Sequence, residues 1–360
     1  MKHDVIIVGA GPAGIFAALE LARETDLRIL MVDRGPDIDR RKCPASRGFG
    51  CKNCEPCNLL SGWGGAGAFS DGKLTLSTEV GGWLNQYVAE SELKGLIDYV
   101  DNIYLQFGAP NSVYGEDVEK VEEIERRASL AGLKLIPQKI RHMGTERCAQ
   151  TLRKMRQELN GKIDIVFRKD IKGLLVKNDT IEGVESADGE KYFGKYVIVA
   201  PGRGGAEWLK TEAQALGLRT LNNPVDVGVR VEVLAAVMEE LTNALYEPKF
   251  IYYSKSFDDQ VRTFCVAPYG EVISESYNRV LTVNGQSYFE KKTDNTNFAV
   301  LVSVSFTEPF KEPIAYGKYI ARLANIIGGG VIVQRLGDLK KGRRSTEDRI
   351  NRSIVKPTLK

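Results

Sequence analysis

The first 33 residues constrain the fold more than any other part of the chain. An apolar segment, predicted to be a strand over residues 4–8, leads into a Gly-x-Gly-x-x-Gly turn. A predicted helix over 11–23 follows, and then a second strand over 27–32 that ends on Asp33. This order predicts a strand–helix–strand unit of about thirty residues in an α/β fold with a parallel sheet.

Each glycine of the turn has its own physical role. Gly9 permits the tight turn, Gly11 lets a diphosphate approach the backbone, and Gly14 lets the helix pack closely on the strand. The N–H groups and the positive end of the helix dipole then face the diphosphate. Asp33 can accept a hydrogen bond from a ribose hydroxyl and would repel a ribose phosphate, which argues against bound NADP at this position. The predicted dinucleotide-binding residues are Gly9, Gly11, Pro12, Ala13, Gly14, Asp33 and Arg34. The alternative is a glycine-rich turn that binds nothing.

Length and composition limit the remaining possibilities. A chain of 360 residues is long enough for two domains. The net charge of +3 and the absence of basic blocks argue against a nucleic-acid partner. No apolar run is long enough for a membrane span, and glycines interrupt the first apolar segment too early for a signal peptide. We therefore expect a cytoplasmic protein whose cysteines do not form a disulfide framework.

The rest of the chain alternates between helical and strand patterns. Residues 36–80 are irregular and rich in Cys and Gly. Apolar spacing predicts helices over 84–107, 117–131, 146–159 and 314–327. Strands are predicted as a pair over 163–184 with a turn at Asn178-Asp179, as a buried strand over 196–200, and as several strands over 225–306.

Several further segments support a family resemblance. They are Gly62-Trp63-Gly64-Gly65-Ala66-Gly67-Ala68-Phe69-Ser70-Asp71-Gly72-Lys73, Val199-Ala200-Pro201-Gly202-Arg203, Val227-Gly228-Val229-Arg230-Val231-Glu232, Asn284-Gly285-Gln286-Ser287 and Asn295-Thr296-Asn297-Phe298. With the N-terminal turn, they make the chain resemble two-domain flavoproteins of the glutathione-reductase-like superfamily. The resemblance is greatest to the poorly characterised FAD-dependent dehydrogenases with a Cys-rich insert after the first strand–helix–strand unit.

The resemblance implies a non-covalent FAD and a particular set of contacts. Glycine spacing alone does not distinguish FAD from NAD, but a turn at the extreme N-terminus and the Ala200-Pro201-Gly202 segment both favour FAD. The loop that would wrap the phosphates and the flavin contains Gly64, Gly65, Gly67, Ser70, Asp71 and Gly72. By the same analogy Ile171 would contact the adenine.

The domain organisation expected from the resemblance is discontinuous. A Rossmann-like FAD-binding domain with a small β-layer would comprise residues 1–80 and 140–205, with a helical insert at 81–139. A β-rich α+β second domain would follow at 206–340, and a basic tail at 341–360. Superfamily members close the FAD domain with a late strand ending in Gly-Asp, whereas here Gly337-Asp338 precedes basic residues. We therefore expect either a C-terminally truncated chain or an incomplete flavin pocket.

Four cysteines form a cluster that needs its own explanation. Cys43, Cys51, Cys54 and Cys57 could hold zinc or an iron–sulfur cluster, because four thiolates at short spacing can close around a metal. The alternatives are a redox thiol pair that exchanges electrons with the flavin, or inert free thiols. The sequence does not decide among the three.

Two further residues are candidates for catalysis. His142 lies between the helical insert and the return to the FAD domain, where a proton-transfer role competes with a structural one. Arg230 shares a strand face with Asp226 and Glu232, while alternate valines occupy the opposite face. That face is either a salt-bridged outer surface or the position of an arginine that binds a substrate carboxylate.

Together these patterns predict an FAD-dependent oxidoreductase, a dehydrogenase or reductase, that acts on a small-molecule substrate or an electron carrier. NAD(P)H is a candidate electron donor. Two alternatives stay open: a flavin monooxygenase, and a non-catalytic sensor whose flavin or metal reports redox state. The sequence defines neither the substrate nor the oligomeric state.

Overall fold

The computed structural model describes residues 3–43, 52, 54–277, 280–307 and 312–359. Its helices are α1 Pro12–Glu24, α2 Glu90–Gln106, α3 Val118–Leu130, α4 Gly144–Glu158, α5 Ala206–Ala215, α6 Ala235–Leu245, α7 Pro313–Gly328, α8 Leu336–Leu339 and α9 Glu347–Asn351. Its strands are β1 His3–Val8, β2 Ile29–Asp33, β3 Lys73–Thr75, β4 Lys134–Ile136, β5 Ile140–His142, β6 Asp164–Phe167, β7 Ile171–Lys177, β8 Thr180–Ser186, β9 Lys191–Val199, β10 Val225–Leu234, β11 Lys249–Tyr253, β12 Gln260–Ala267, β13 Glu271–Tyr277, β14 Val280–Gln286 and β15 Asn295–Val304.

The chain divides into two compact units. The first contains Met1–Gly72, Gln106–Ala109 and Thr145–Leu221. The second contains Lys73–Leu105, Pro110–Gly144 and Asn222–Lys360. The segment expected to be a separate helical insert therefore makes most of its contacts within the second unit.

The first unit is built on a six-stranded sheet in the order β6-β2-β1-β9-β8-β7. Strand β1 pairs in parallel with β2 and β9, and β2 pairs in parallel with β6. The β9-β8-β7 edge is antiparallel. Ile6 and Val32 are fully buried, as expected for central parallel strands covered on both faces. The predicted parallel sheet with a small β-layer is confirmed.

The strand predictions in this unit need two corrections. Residues 163–184 are not one strand pair, because β6 joins β2 in the parallel sheet and only β7 and β8 form a hairpin. The predicted turn at Asn178-Asp179 closes that hairpin, with φ of 50° and 56°. The strand predicted to be buried over 196–200 is the end of β9, where Tyr196 is 53% exposed. Val197 packs against the core cluster, so successive side chains of β9 point to opposite sides.

The second unit contains a five-stranded sheet in the order β10-β15-β12-β11-β4 and two separate strand pairs, β13-β14 and β3-β5. Ten consecutive residues of β10 pair antiparallel with β15, from Val225 opposite Val304 to Leu234 opposite Asn295. Helix α3 packs on β4 in a small core that contains Ile124, Leu135 and Leu245. The β-rich second domain expected from the sequence is confirmed.

Hydrogen bonds anchor parts of the C-terminal segment, although most of the residues over 341–359 are exposed. Asp338 is 1% exposed and accepts from Arg343 Nε at 2.7 Å and from Ser345 Oγ at 3.0 Å. Its pKa is lowered chiefly by the hydrogen bond from Arg343. Further on, the hydroxyl of Thr358 donates to Glu232 on β10. The basic side chain at Arg343 therefore neutralises a buried acid.

Within the residues that the structure describes, no helix combines the length and the apolar character needed to cross a bilayer.

Candidate dinucleotide site

The glycines of the first turn differ in what surrounds them. Gly9 has φ +106°, and a Cβ there would lie 2.1 Å from the carbonyl oxygen of Ala200. A Cβ on Gly14 would lie 1.9 Å from the carbonyl oxygen of Gly9. A Cβ on Gly11, in contrast, would meet only Gly65 Cα at 3.9 Å. Gly9 and Gly14 are thus required by backbone packing, whereas the space at Gly11 is left open.

The N-terminus of α1, the positive end of the helix dipole, has no side-chain cap. Gly11 is the N-cap residue and makes no side-chain cap hydrogen bond, and Pro12 occupies the first helical position. No acidic residue lies in the first turn, and Pro12 and Ala13 are exposed. Because the first N–H groups of a helix have no partner within it, this end attracts an anionic group. Its donors and its charge fit a diphosphate.

The carboxylate of Asp33 is fixed by the backbone on both sides. It is 8% exposed, and its oxygens accept from Ala10 N and from Gly35 N, each at 2.7 Å. A carboxylate has about four acceptor positions, so these bonds orient it without exhausting it. The next residue, Arg34, donates to Glu55 at 2.7 Å and lies 4.0 Å from Asp170. Asp33 is thereby oriented next to the turn, where it can accept a hydrogen bond from a ribose hydroxyl.

The glycine-rich loop lies directly against this turn. Gly64 N donates to Ala10 O at 2.7 Å, and a Cβ on Gly65 would lie 3.0 Å from Gly11 Cα. Trp63 anchors the loop in the core: its side chain is fully buried and donates from Nε1 to Leu152 O at 2.8 Å. The backbone of the glycine-rich loop therefore approaches the backbone of the first turn closely, with no side chain between them.

A buried arginine that the sequence did not single out organises the same loop. Arg41 is 4% exposed and donates to three carbonyls, those of Asn58 at 2.9 Å, Leu59 at 2.9 Å and Trp63 at 2.6 Å. Burial lowers the pKa of Arg41 to about 10, so the group is still charged at neutral pH. Nothing in the sequence around it marks this role, because the three carbonyls belong to irregular backbone.

The later part of the loop is held by side chains of α4. Thr145 Oγ1 donates to Ser70 O at 2.8 Å, and Cys148 Sγ lies 3.3 Å from Gly67 O. Ser70 Oγ donates to Gly67 O at 2.9 Å. Asp71 is 6% exposed, and Gly72 has φ +65°. The structure thus places Gly67, Ser70, Asp71 and Gly72 in one ordered turn.

The remaining predicted cofactor residues fall into two groups. Ala200 lies beside Gly9 and donates from its N–H to Val8 O at 2.8 Å, so Ala200, Pro201 and Gly202 continue from the same sheet end. Ile171, in contrast, is 8% exposed and packs in the core cluster with Val32 and Val184. The side chain of Ile171 therefore belongs to the core, and its contact with adenine stays a prediction.

Both catalytic candidates lie in the second unit. His142 is buried, with Nε2 3.3 Å from Ser287 Oγ and its ring stacked on Tyr246 at 4.2 Å between centroids. The hydroxyl of Tyr246 lies 2.8 Å from the same Ser287 Oγ. Neither Tyr246 nor Ser287 was singled out as a partner of His142, because they are far from it in the sequence. The three side chains form a buried polar cluster.

Arg230 lies on β10, with Asp226 and Glu232 on the same face. Asp226 is bound by Arg262 and Ser303, so part of that face is salt-bridged. In the part of the chain that the structure describes, Arg230 makes no such pair and instead donates to Asn297 and Cys265. On the opposite face, which carries the alternate valines, Val229 is 65% exposed, so that face is not buried along its whole length.

The cysteine cluster is only partly described. Cys51 lies outside the described residues, whereas Cys43 and Cys57 are half-buried and Cys54 is exposed. The described residues contain no group of three or more His, Cys, Asp or Glu side chains that could hold a metal ion.

Comparisons with known proteins place the chain in a family. The family "Pyridine nucleotide-disulphide oxidoreductase" matches residues 3–214, and "FAD-dependent protein, C-terminal domain-like" matches residues 224–360. An uncharacterized protein of Clostridium beijerinckii is 28% identical over 373 aligned residues, which include 96% of this chain. The chain spans 61% of the length of that relative.

Three solved structures are also similar. NikD, an unusual amino acid oxidase essential for nikkomycin biosynthesis, has a TM-score of 0.44 at 14% identity, with 87% of this chain and 72% of that chain covered. Glycine oxidase from Bacillus cereus has a TM-score of 0.37 at 13% identity, with 90% and 79% covered. PqsL, a probable FAD-dependent monooxygenase from Pseudomonas aeruginosa, has a TM-score of 0.37 at 14% identity, with 90% and 66% covered.

Because the first family match includes more than half of the 360 residues, the chain belongs to the pyridine nucleotide-disulphide oxidoreductase family.

Proposed function

We propose that this chain is part of an FAD-dependent oxidoreductase that binds FAD non-covalently in its first unit. The observation that carries the proposal is the uncapped, acid-free N-terminus of α1 next to the oriented carboxylate of Asp33. A dinucleotide needs both features at this spacing, one for the diphosphate and one for the ribose. The family matches support the same cofactor.

Each part of the site has a binding or orienting task in this proposal. The N–H groups of Ala13 and Gly14 would bind the diphosphate, and Gly11 would leave room for its approach. The carboxylate of Asp33 would accept hydrogen bonds from the adenosine ribose. The ordered turn containing Ser70 and Asp71 would line the flavin half of the cofactor, close to Gly67. These residues would bind the cofactor and exclude water from it. FAD, when bound, would supply the hydride or electron-pair chemistry.

The finer features expected from the sequence belong to the same proposal. The substrate is a small molecule or an electron carrier, and NAD(P)H is the candidate electron donor. The Cys-rich segment links the chain to FAD-dependent dehydrogenases that carry such an insert, and zinc or an iron–sulfur cluster is its candidate ligand. Flavin monooxygenation and non-catalytic redox sensing are the alternatives, and both need the same bound flavin.

An absorption spectrum of the purified chain, with cofactor identification after denaturation, tests the proposal. We expect flavin bands and release of FAD rather than FMN, with close to one FAD per chain after reconstitution. The reduced flavin should reoxidise with an electron acceptor. Protein that is folded by circular dichroism but takes up no FAD during reconstitution would refute the proposal.

A further inference from the structure

A half-buried guanidinium without an acidic partner lies in the sheet of the second unit. Arg230 donates from Nε to Asn297 Oδ1 and from Nη2 to the carbonyl of Cys265, both at 2.6 Å. Both acceptors are neutral, and no carboxylate among the described residues pairs with Arg230. A charge that is partly withdrawn from water is costly when no opposite charge compensates it. The hydrogen bonds to a carbonyl and an amide therefore do not explain why a charged side chain is half-buried at this position.

The nearby carboxylates are already bound by other groups. Glu232 accepts from the backbone N–H and the hydroxyl of Thr358. Glu247 is paired with Lys73 and also accepts from the N–H of Cys265 at 2.9 Å. Each acid is thus directed toward a different partner. The positive charge of Arg230 therefore has no acidic hydrogen-bond partner within the described ranges of the chain.

A second donor next to Arg230 is also unsatisfied. Asn297 is fully buried, and its Nδ2 has no hydrogen-bond partner among the described residues. The orientation of this amide is fixed, because a flipped amide would point its NH₂ at the guanidinium. Of the guanidinium nitrogens, Nη1 makes no hydrogen bond to a described residue and does not belong to the buried unpartnered atoms. The cluster therefore contains one charged donor and one fully buried neutral donor to which no described residue supplies an acceptor.

The backbone of β14 is shaped around this guanidinium. A Cβ on Gly285 would lie 1.7 Å from Arg230 Nη2 and 2.5 Å from Asn297 Oδ1. The backbone conformation of Gly285 is one that other residues also adopt, since it has no positive φ. The glycine is thus explained by the space that Arg230 and Asn297 occupy.

We propose that Arg230 and Asn297 form a binding site for the carboxylate of a small organic acid. The planar guanidinium with a single further donor matches a carboxylate, whereas a phosphate dianion would need more donors. The site lies within the second unit and does not depend on FAD. The proposed FAD function and this site can therefore fail independently.

Isothermal titration calorimetry with benzoate tests the site, because the heat of binding does not require flavin. The matched variants are Arg230→Gln and Arg262→Gln, since Arg262 is a half-buried arginine of the same sheet that is paired with Asp226. We expect Arg230→Gln to weaken benzoate binding about 10- to 100-fold, as loss of a charge-assisted hydrogen bond does, and Arg262→Gln to leave it unchanged. Equal losses in both variants would contradict the proposal.

A third variant covers the case in which Arg230→Gln does not fold. Asn297→Asp is nearly isosteric, removes the unsatisfied NH₂ and places a carboxylate on the guanidinium. The protein should then retain its melting temperature and lose benzoate binding, because the internal carboxylate takes the place of the ligand. Native protein that binds inorganic phosphate but not benzoate, or an Asn297→Asp variant that binds benzoate as well as native protein, would overturn the inference.

Discussion

Replacing Gly11 by alanine should separate cofactor binding from folding in a way that Gly14→Ala cannot. At Gly11 the added methyl group would find its nearest neighbour, Gly65 Cα, at 3.9 Å, which is an ordinary contact. Gly11 has φ −78°, a conformation that alanine adopts without strain. At Gly14 the same methyl group would lie 1.9 Å from Gly9 O, so the helix must move away from the turn.

These distances set the expected magnitudes. Gly11→Ala exchanges one N-cap residue for a poorer one, which costs about 0.5–1 kcal/mol of folding free energy and is partly offset by a less flexible unfolded chain. Gly14→Ala overpacks the junction of helix and strand, which costs about 1–3 kcal/mol or more. The methyl group of Gly11→Ala would stand where a diphosphate approaches the backbone. We expect a loss of FAD affinity of at least about tenfold, or about 1.4 kcal/mol.

The assay combines urea unfolding of the flavin-free protein with fluorescence titration of FAD into each variant. Gly95→Ala is the control, because its methyl group meets no atom within 4 Å and Gly95 lies in the second unit. Gly11→Ala should lose no more than about 1 kcal/mol of stability and should bind FAD more weakly, whereas Gly95→Ala, which replaces a glycine inside helix α2, should leave FAD affinity unchanged. An unchanged FAD dissociation constant for Gly11→Ala would refute the assignment of the diphosphate to this turn.

Three other expectations follow from groups around the site. Arg41→Met should lower the free energy of unfolding, measured in urea, by about 3 kcal/mol, because three carbonyls lose their buried donor. A loss below about 1 kcal/mol would show that water takes the place of the guanidinium. Asp33→Asn should weaken FAD binding and lower the stability of the fold by about 1.5–3 kcal/mol, because an amide has one acceptor oxygen for two backbone N–H groups. A fluorescence titration of FAD and a parallel thermal melt separate the two effects. Burial raises the pKa of the Cys148 thiol from 9.0 to about 12, so the fold favours its neutral form and loses stability as the pH rises from about 9 toward 12. In the native protein at pH 8, Ellman's reagent should therefore react with exposed Cys54 and not with Cys148, and Cys148→Ala should flatten the alkaline loss of stability.

The parts of the fold that the sequence predicts well are those determined by neighbouring residues. The strand–helix–strand unit from β1 to β2 matches the prediction to within a residue or two, because apolar periodicity, glycines and the terminal acid lie within 33 residues. The hairpin of β7 and β8 follows from a turn in which Asn178 and Asp179 adopt positive φ. In both cases the signal and its structural consequence are close in the chain.

The features that the sequence did not predict depend on contacts between residues that are far apart in the chain or that have no side-chain pattern. Residues 163–167 have an alternating pattern that fits a hairpin equally well, and only pairing with β2, more than 130 residues earlier, places them in the parallel sheet. The C-terminal residues are polar, and their hydrogen bonds depend on Asp338 and Glu232 being available as partners. Arg41 gives no signal at all, because the carbonyls that it binds have no side-chain pattern. Contacts of this kind become visible only in three dimensions.

Arg41 and Arg230 show why counting donors is more informative than counting charges. Neither arginine has an acidic hydrogen-bond partner among the described residues; Arg41 donates to loop carbonyls, and Arg230 donates to the carbonyl of Cys265 on β12. At Arg41 each of the three guanidinium nitrogens donates to a carbonyl, and the side chain is only 4% exposed, so a ligand has little access to it. At Arg230 two nitrogens donate to protein acceptors, and neither the third nitrogen nor the NH₂ of the adjacent Asn297 amide has a hydrogen-bond acceptor among the residues that the structure describes. Burial and three carbonyl partners make the first arginine a structural element of the loop, whereas the second arginine, with one nitrogen unbound among the described residues, is the one that we propose binds a carboxylate.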